Sequence, residues 1–222
     1  MLSGIALVAA LAAGTPFVSV GSFRYTGTLE GQPAGSSSLN VTRDGDSTKI
    51  EESASGSLAG NTFTGKASLV LGADLAPIRY AGDYQIGAQH ASAMAALTAT
   101  SATVVGSLGG SAPQTLALGR DSSHFVVIEP GLLAGLFALP AQMEAWKDPT
   151  VQVIAPASGQ ARSIAPDTKA SPPPRPASVP ATDASLSFTA GPAFTIWYDP
   201  ATFVPDEIDV PSQNAVVTRV RE

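Results

Sequence analysis

The chain is expected to be mainly β (α+β): a single antiparallel sheet, curved around a short apolar helical plug. Three observations carry that expectation. From residue 23 to about residue 118, apolar and polar residues alternate with period two, which puts one strand face on a core and the other towards water. Charged residues are only 14% of the 222 residues, against roughly 25% in an average soluble domain. Ser, Thr, Ala and 21 Gly fill the difference, a composition typical of strands joined by tight turns. The third observation is an apolar segment, residues 130–147, which interrupts the alternation and supplies the helix.

The strands follow in order. Phe23, Tyr25, Gly27 and Leu29 alternate with polar residues, as do Phe63, Gly65, Ala67, Leu69 and Leu71. Ile78, Tyr80, Gly82, Tyr84 and Ile86 repeat the pattern. Asp44-Gly45, between Leu39-Asn40-Val41-Thr42 and Thr48-Lys49-Ile50, is a two-residue hairpin signal because both residue types tolerate positive φ. Gly31-Gln32-Pro33-Ala34-Gly35 reads as a longer turn and Leu58-Ala59-Gly60-Asn61 as another. Residues 91–105, rich in Ala, Met and Thr, fit a long small-residue strand or a weak helix, and their neighbours favour the strand.

Pro130 suits the first turn of a helix, and Leu132, Leu133, Leu136, Phe137 and Leu139 follow it. Pro140 should then break or kink that helix, leaving a further turn that reaches Met143 and Trp146. A helix this apolar must be covered, and the concave face of the sheet is the expected cover. Strand signals resume at Val151-Gln152-Val153-Ile154. Residues 166–180 contain Ser171-Pro172-Pro173-Pro174-Arg175-Pro176, which reads as a stiff surface connector rather than a ligand for a Pro-binding domain. Strands return at residues 184–190, 194–198, 206–210 and 215–220.

Residues 1–20 are expected to be a signal peptide or N-terminal extension, and residues 21–222 a single antiparallel β domain with a Pro-rich loop at 166–180. Residues 5–13 are unbroken apolar, Ala10-Leu11-Ala12 is a small-x-small cleavage pattern, and Gly14-Thr15-Pro16 ends any helix. The run is too short for a transmembrane helix, which takes about 20 apolar residues. The n-region lacks Lys or Arg, and a buried first strand or helix is the competing reading. The expected location is periplasmic or secreted.

The formal net charge of −6 argues against nucleic acid, which needs a clustered basic face. With no cysteine there is no disulfide, thiol nucleophile or thiolate metal site. Segment 60–67 approaches a phosphate-binding loop, but Ala67 stands where a Ser or Thr must hold magnesium, and a strand pattern follows in place of a helix. The two histidines, His90 and His124, have no metal-ligand spacing. Asp121-Ser122-Ser123-His124 holds triad residue types without a nucleophile elbow and reads as a polar turn. Glu51 and Glu52 should face opposite sides of a strand. Together with Asp206, Glu207 and Asp209 they read as charges on an exposed face. Asn40-Val41-Thr42 is a glycosylation sequon. No catalytic residue, metal site or cofactor motif is assigned.

Two stretches carry a resemblance. Residues 23–35 have an aromatic strand, a G-x-x-x-G turn and a following strand; residues 196–220 pair Ile196-Trp197-Tyr198-Asp199-Pro200 with Ile208-Asp209-Val210-Pro211 and Val217-Thr218-Arg219-Val220. Both resemble uncharacterised periplasmic β-clam proteins related in fold to the LolA and LolB lipoprotein carriers. The resemblance implies an open half-barrel whose concave apolar face is plugged by helices. The chain departs from the carriers in lacking a lipobox Cys and in the 166–180 segment.

The leading expectation is therefore an exported, non-enzymatic envelope protein that binds a hydrophobic ligand, an acyl chain or a lipid-modified partner. Tyr80, Tyr84, Leu132, Leu133, Leu136, Phe137 and Trp146 would line its cleft. Plain core is the favoured reading of these same residues, since apolar stripes usually mean packing. An assembly module that pairs with another envelope protein through a sheet edge is the alternative, and a hydrolase with an unrecognised site comes third.

Overall fold

A computed structural model describes residues 16–58, 60–98, 101–107, 114–119, 124–147, 150–167, 173–189 and 193–221. Their elements are β1 (Gly21–Leu29), β2 (Gln32–Asp44), β3 (Ser47–Leu58), β4 (Asn61–Leu71), β5 (Pro77–Ile86), β6 (Gln89–Leu97), β7 (Ser101–Ser107), β8 (Gln114–Gly119), β9 (Phe125–Val127), α1 (Ala134–Trp146), β10 (Val151–Ala155), β11 (Gln160–Ile164), β12 (Ala184–Phe188), β13 (Phe194–Tyr198), β14 (Pro205–Val210) and β15 (Ala215–Val220). A 3-10 turn, Pro211–Gln213, joins the last two.

One large, curved, open antiparallel sheet runs in the order β12-β13-β14-β15-β1-β2-β3-β4-β5-β6-β7-β8. The meander from β1 to β8 is continued across β1 by the C-terminal strands, with Arg24 opposite Val220 and Leu29 opposite Ala215. A small second sheet, β11-β10-β9, was not anticipated from the sequence. In it β9 runs parallel to β10, pairing Phe125 with Gln152, and the intervening chain includes α1.

Alternation decides which face is the core. Phe23, Tyr25, Leu39, Val41, Ile50, Phe63, Leu69, Leu71, Tyr80 and Tyr84 are all buried. Their sequence neighbours Arg24, Ser38, Asn40, Glu51, Thr64 and Asp83 are exposed on the opposite face. Side chains of period two cannot do otherwise once one face is covered. Each fully buried Leu, Ile or Phe contributes about 1.5–3 kcal/mol.

Several turns differ from expectation. Glu30 (φ 52) and Gly31 (φ 74) close β1 onto β2 in two residues, with Leu29 opposite Gln32, where a longer turn over 31–35 was expected. A register shift at Gly27/Thr28 absorbs the misfit. At the next hairpin Asp44 pairs with Ser47, so the central residues are Gly45 (φ 56) and Asp46, one position later than the Asp-Gly signal suggests. Residues 91–105 do not form one long strand. β6 and β7 pair across a turn in which Thr98 N–H donates to the Ser101 carbonyl (2.8 Å) and Ser101 N–H to Thr98 Oγ1 (3.1 Å).

The helix also departs from its expected form. Pro130 lies outside it, and α1 runs unbroken through Pro140 to Lys147, whose left-handed φ of 51 ends it with an N–H bond to the Met143 carbonyl (3.0 Å). An interior proline costs about 3 kcal/mol by deleting one backbone donor and crowding the preceding turn. Burial overrides that cost here: Phe137, Ala138, Leu139, Pro140 and Ala141 are all buried. Phe137 packs against Phe23 at 4.8 Å between ring centroids and edge-on to Tyr25 at 6.4 Å. Gly135 permits the close approach to β9, because a Cβ there would overlap the Val127 carbonyl.

The Pro-rich region is more than a connector. Arg175 donates to the Pro180 and Asp183 carbonyls and lies over the Trp197 ring at 4.8 Å. Ser178 Oγ donates to Glu207, and Val179 is buried. Trp197 and Glu207 alternate with the core residues Ile196 and Ile208, so residues 173–183 strap the outer face of β13 and β14. At the other end of the chain Val18 is buried in the core and Ser19 Oγ donates to the Thr202 carbonyl (2.8 Å). The packed part of the chain thus starts before residue 21.

Candidate functional site

The concave face of β1–β5 is where the sequence-predicted ligand residues converge. Tyr80, Tyr84, Leu132, Leu133 and Phe137 are buried, while Leu136 and Trp146 are half-buried against the same core. The structure brings them together but leaves no open cleft between them: α1 occupies the concavity. Two open hollows stand out on the described surface, both elsewhere. One lies by Glu30, Asp209 and Asn214, the other by Arg24, Asn40 and Glu51.

The helix is seated on a buried charge that the sequence reading had placed on an exposed face. Glu52 follows Ile50 in the inward phase of β3 and is 3% exposed. Its carboxylate accepts Leu133 N–H at 2.8 Å on both oxygens, Ala134 N–H at 2.8 Å and Ser37 Oγ–H at 2.7 Å. α1 has no N-cap side chain of its own. Glu52 supplies that cap from a distant strand and sits at the positive end of the helix dipole. Burial pushes its pKa above the usual carboxylate range, and the bonds from Ser37, Leu133 and Ala134 oppose the rise.

A second interior carboxyl lies in the connector that leads into α1. Glu129 is 4% exposed; it accepts Ala157 N–H at 2.6 Å and Tyr84 Oη–H at 3.3 Å. Burial pushes its pKa up to about 7, against the pull of both hydrogen bonds. Tyr80 is the common neighbour of Glu129, Tyr84 and Glu52, and with its burial they raise its hydroxyl pKa well above the usual range. Among the described residues its hydroxyl is buried without a hydrogen-bond partner. Gly82 makes room for that ring, since a Cβ there would lie 2.5 Å from Tyr80 Oη.

The far end of the helix has two further ties. Gln142 Nε2 donates to the Leu75 carbonyl (2.9 Å) and Trp146 Nε1 to the Asp74 carbonyl (2.7 Å). Sequence reasoning missed Glu129 and Gln142. The available signal for Glu129 was a lone acid between the apolar run 125–128 and Pro130.

The remaining candidates are scattered. His90 meets Asp83 at 3.0 Å on the exposed face. His124 stacks on Trp146 at 4.4 Å; residues 121–123 of its polar cluster lie outside the described residues. Lys66 of the 60–67 segment is exposed on β4. Asp206 and Glu207, expected on an exposed face, are buried. Asp206 accepts Arg221 (2.7 Å) and Arg219 (3.4 Å), and Glu207 lies beneath the strap. Among the described residues no group of three His, Cys, Asp or Glu could hold a metal ion, and no helix is long and apolar enough to cross a membrane.

Fold and site together define a class: an open curved β-sheet whose concave face is filled by one apolar helix seated on a buried carboxylate. No family model, no curated protein and no solved structure matches the chain.

Proposed function

We propose that the protein is an exported, non-enzymatic envelope protein that holds an acyl chain or a lipid-modified partner on the concave face of its sheet, in the space α1 occupies. The observation that carries this reading is the chemistry of α1. Its one charged residue, Glu144, is exposed, and the rest of its surface is apolar enough to fill a half-barrel as a hydrocarbon chain would. The helix is held at its two ends, by Glu52 at one and by Gln142 and Trp146 at the other, with apolar contacts between. Displacing it would present Phe23, Tyr25, Phe63, Tyr80 and Tyr84 as a lining. The resemblance of residues 23–35 and 196–220 to the periplasmic β-clam proteins points the same way.

The test is lipid extraction and mass spectrometry on protein purified from a native membrane fraction. A stoichiometric acyl lipid is expected. Protein that emerges lipid-free and ignores fluorescent hydrophobic probes contradicts the reading. A second reading, an assembly module, draws on the open sheet, which ends at β8 and β12. Crosslinking in cells would then recover one dominant envelope protein in place of lipid.

A further inference from the structure

We propose that a proton on the Glu129 carboxyl locks the connector between β9 and α1, and that its ionisation loosens the seat of the helix. This regulation rests on the reading of α1 as occupant of the ligand site. Glu129 is buried, yet Pro130 and Gly131 directly after it are exposed. Pro130 has no backbone donor, and Gly131 sits at φ 78, a conformation only glycine adopts freely. The connector's own bond is Leu132 N–H to the Glu129 carbonyl, at 3.2 Å. A short outward swing of residues 129–132 would therefore carry the carboxylate to water without breaking the sheet. At the end of that swing stand Leu133 and Ala134, the two residues whose N–H groups rest on Glu52.

The groups that face Glu129 do little to hold its charge. β5 contributes the Tyr84 hydroxyl and Tyr80, and the turn after β10 contributes Ala157 N–H. Beyond Tyr80 lies Glu52 of β3, itself a carboxylate. None of these is a cation, so among the described residues an ionised Glu129 is compensated by two hydrogen bonds alone. Burial pushes its pKa up to about 7, which places the loss of the proton in the neutral range. The closed seat is favoured below that pH and the loosened seat above it.

Hydrogen exchange of the full chain at about pH 5 and about pH 8.5, corrected for the intrinsic pH dependence, tests this. Amides of α1 are expected to lose protection at the higher pH roughly tenfold or more beyond the loss in β2–β4, whose amides follow global stability. Glu129→Gln should abolish the difference. Tyr84→Phe, which deletes a donor to the charged form, should move the midpoint to higher pH. Equal α1 protection at both pH values, a Glu129→Gln protein that still responds, or a midpoint unmoved by Tyr84→Phe would each overturn the proposal. The measurement uses no ligand, so a lipid-free preparation would refute the carrier reading and leave this result standing.

Discussion

Glu52 and Leu133 meet across 81 residues of sequence: both carboxylate oxygens of the strand residue accept the N–H of the residue just before the helix, at 2.8 Å. This contact joins the sheet's inner face to its plug. It explains why a charge is tolerated at an inward position, because the orphan donors of the helix start and the Ser37 hydroxyl satisfy it.

Replacing Glu52 should therefore damage stability more than removing an ordinary surface charge. Glu52→Ala strands the Leu133 and Ala134 N–H groups and is expected to cost about 3–5 kcal/mol. Glu52→Gln keeps one acceptor oxygen and should cost less. Denaturant unfolding of the two variants measures the difference. Equal losses, or none, would refute the seat.

The pH dependence of stability follows from Glu129. Its carboxyl is raised from 4.5 to about 7 in the folded state, so the folded chain binds more protons than the unfolded chain between those values. Stability must then fall as pH rises through that window and level off above it. At about 1.4 kcal/mol per unit, the full contribution is of order 3 kcal/mol. Glu52, also raised, acts in the same direction. Denaturant midpoints at successive pH values should decline from about pH 5 to about pH 8, and Glu129→Gln should flatten the slope.

Phe137 is the anchor of α1 in the apolar part of the seat, 2% exposed and in contact with Phe23 and Tyr25. Phe137→Ala leaves a void on a surface that has little freedom to collapse, and should cost about 3–5 kcal/mol. Thermal or denaturant unfolding reads it directly. Phe137→Leu should recover more than half.

The strap makes its own prediction. Arg175→Ala removes a cation–π contact to Trp197 and two bonds to the Pro180 and Asp183 carbonyls. A loss of about 1–2 kcal/mol is expected. Proteolysis within 173–183 should also become faster. An unaltered cleavage rate would mean the strap is held by Val179 and Ser178 alone.

What the sequence makes legible is what a single strand encodes. The inward row Phe63, Gly65, Ala67, Leu69 and Leu71 is buried as its period requires. The spacing Tyr80-Gly82-Tyr84 is likewise inward. Partners across the fold are less legible. Glu52 shares the phase of Ile50 and was readable as inward, yet a charge there makes sense only once a helix start lies over it. Val151-Gln152-Val153-Ile154 announces a strand but not its neighbour, and it joins β9 in a separate sheet. Pro140 predicts a break that local sterics favour and core packing overrides. Trp197 and Glu207 owe their burial to a strap whose proline content reads as a loop.

The central claim is that α1 sits where a ligand chain would lie, and the chain's lack of cysteine allows a direct measurement. Spin labels on Ser53→Cys, exposed on β3, and Glu144→Cys, exposed on α1, report the distance between sheet and plug by pulsed electron paramagnetic resonance. Saturating lauric acid is predicted to add a longer distance to the distribution as the helix leaves its seat. A single distance, unchanged in the presence of the acyl chain, would contradict the account.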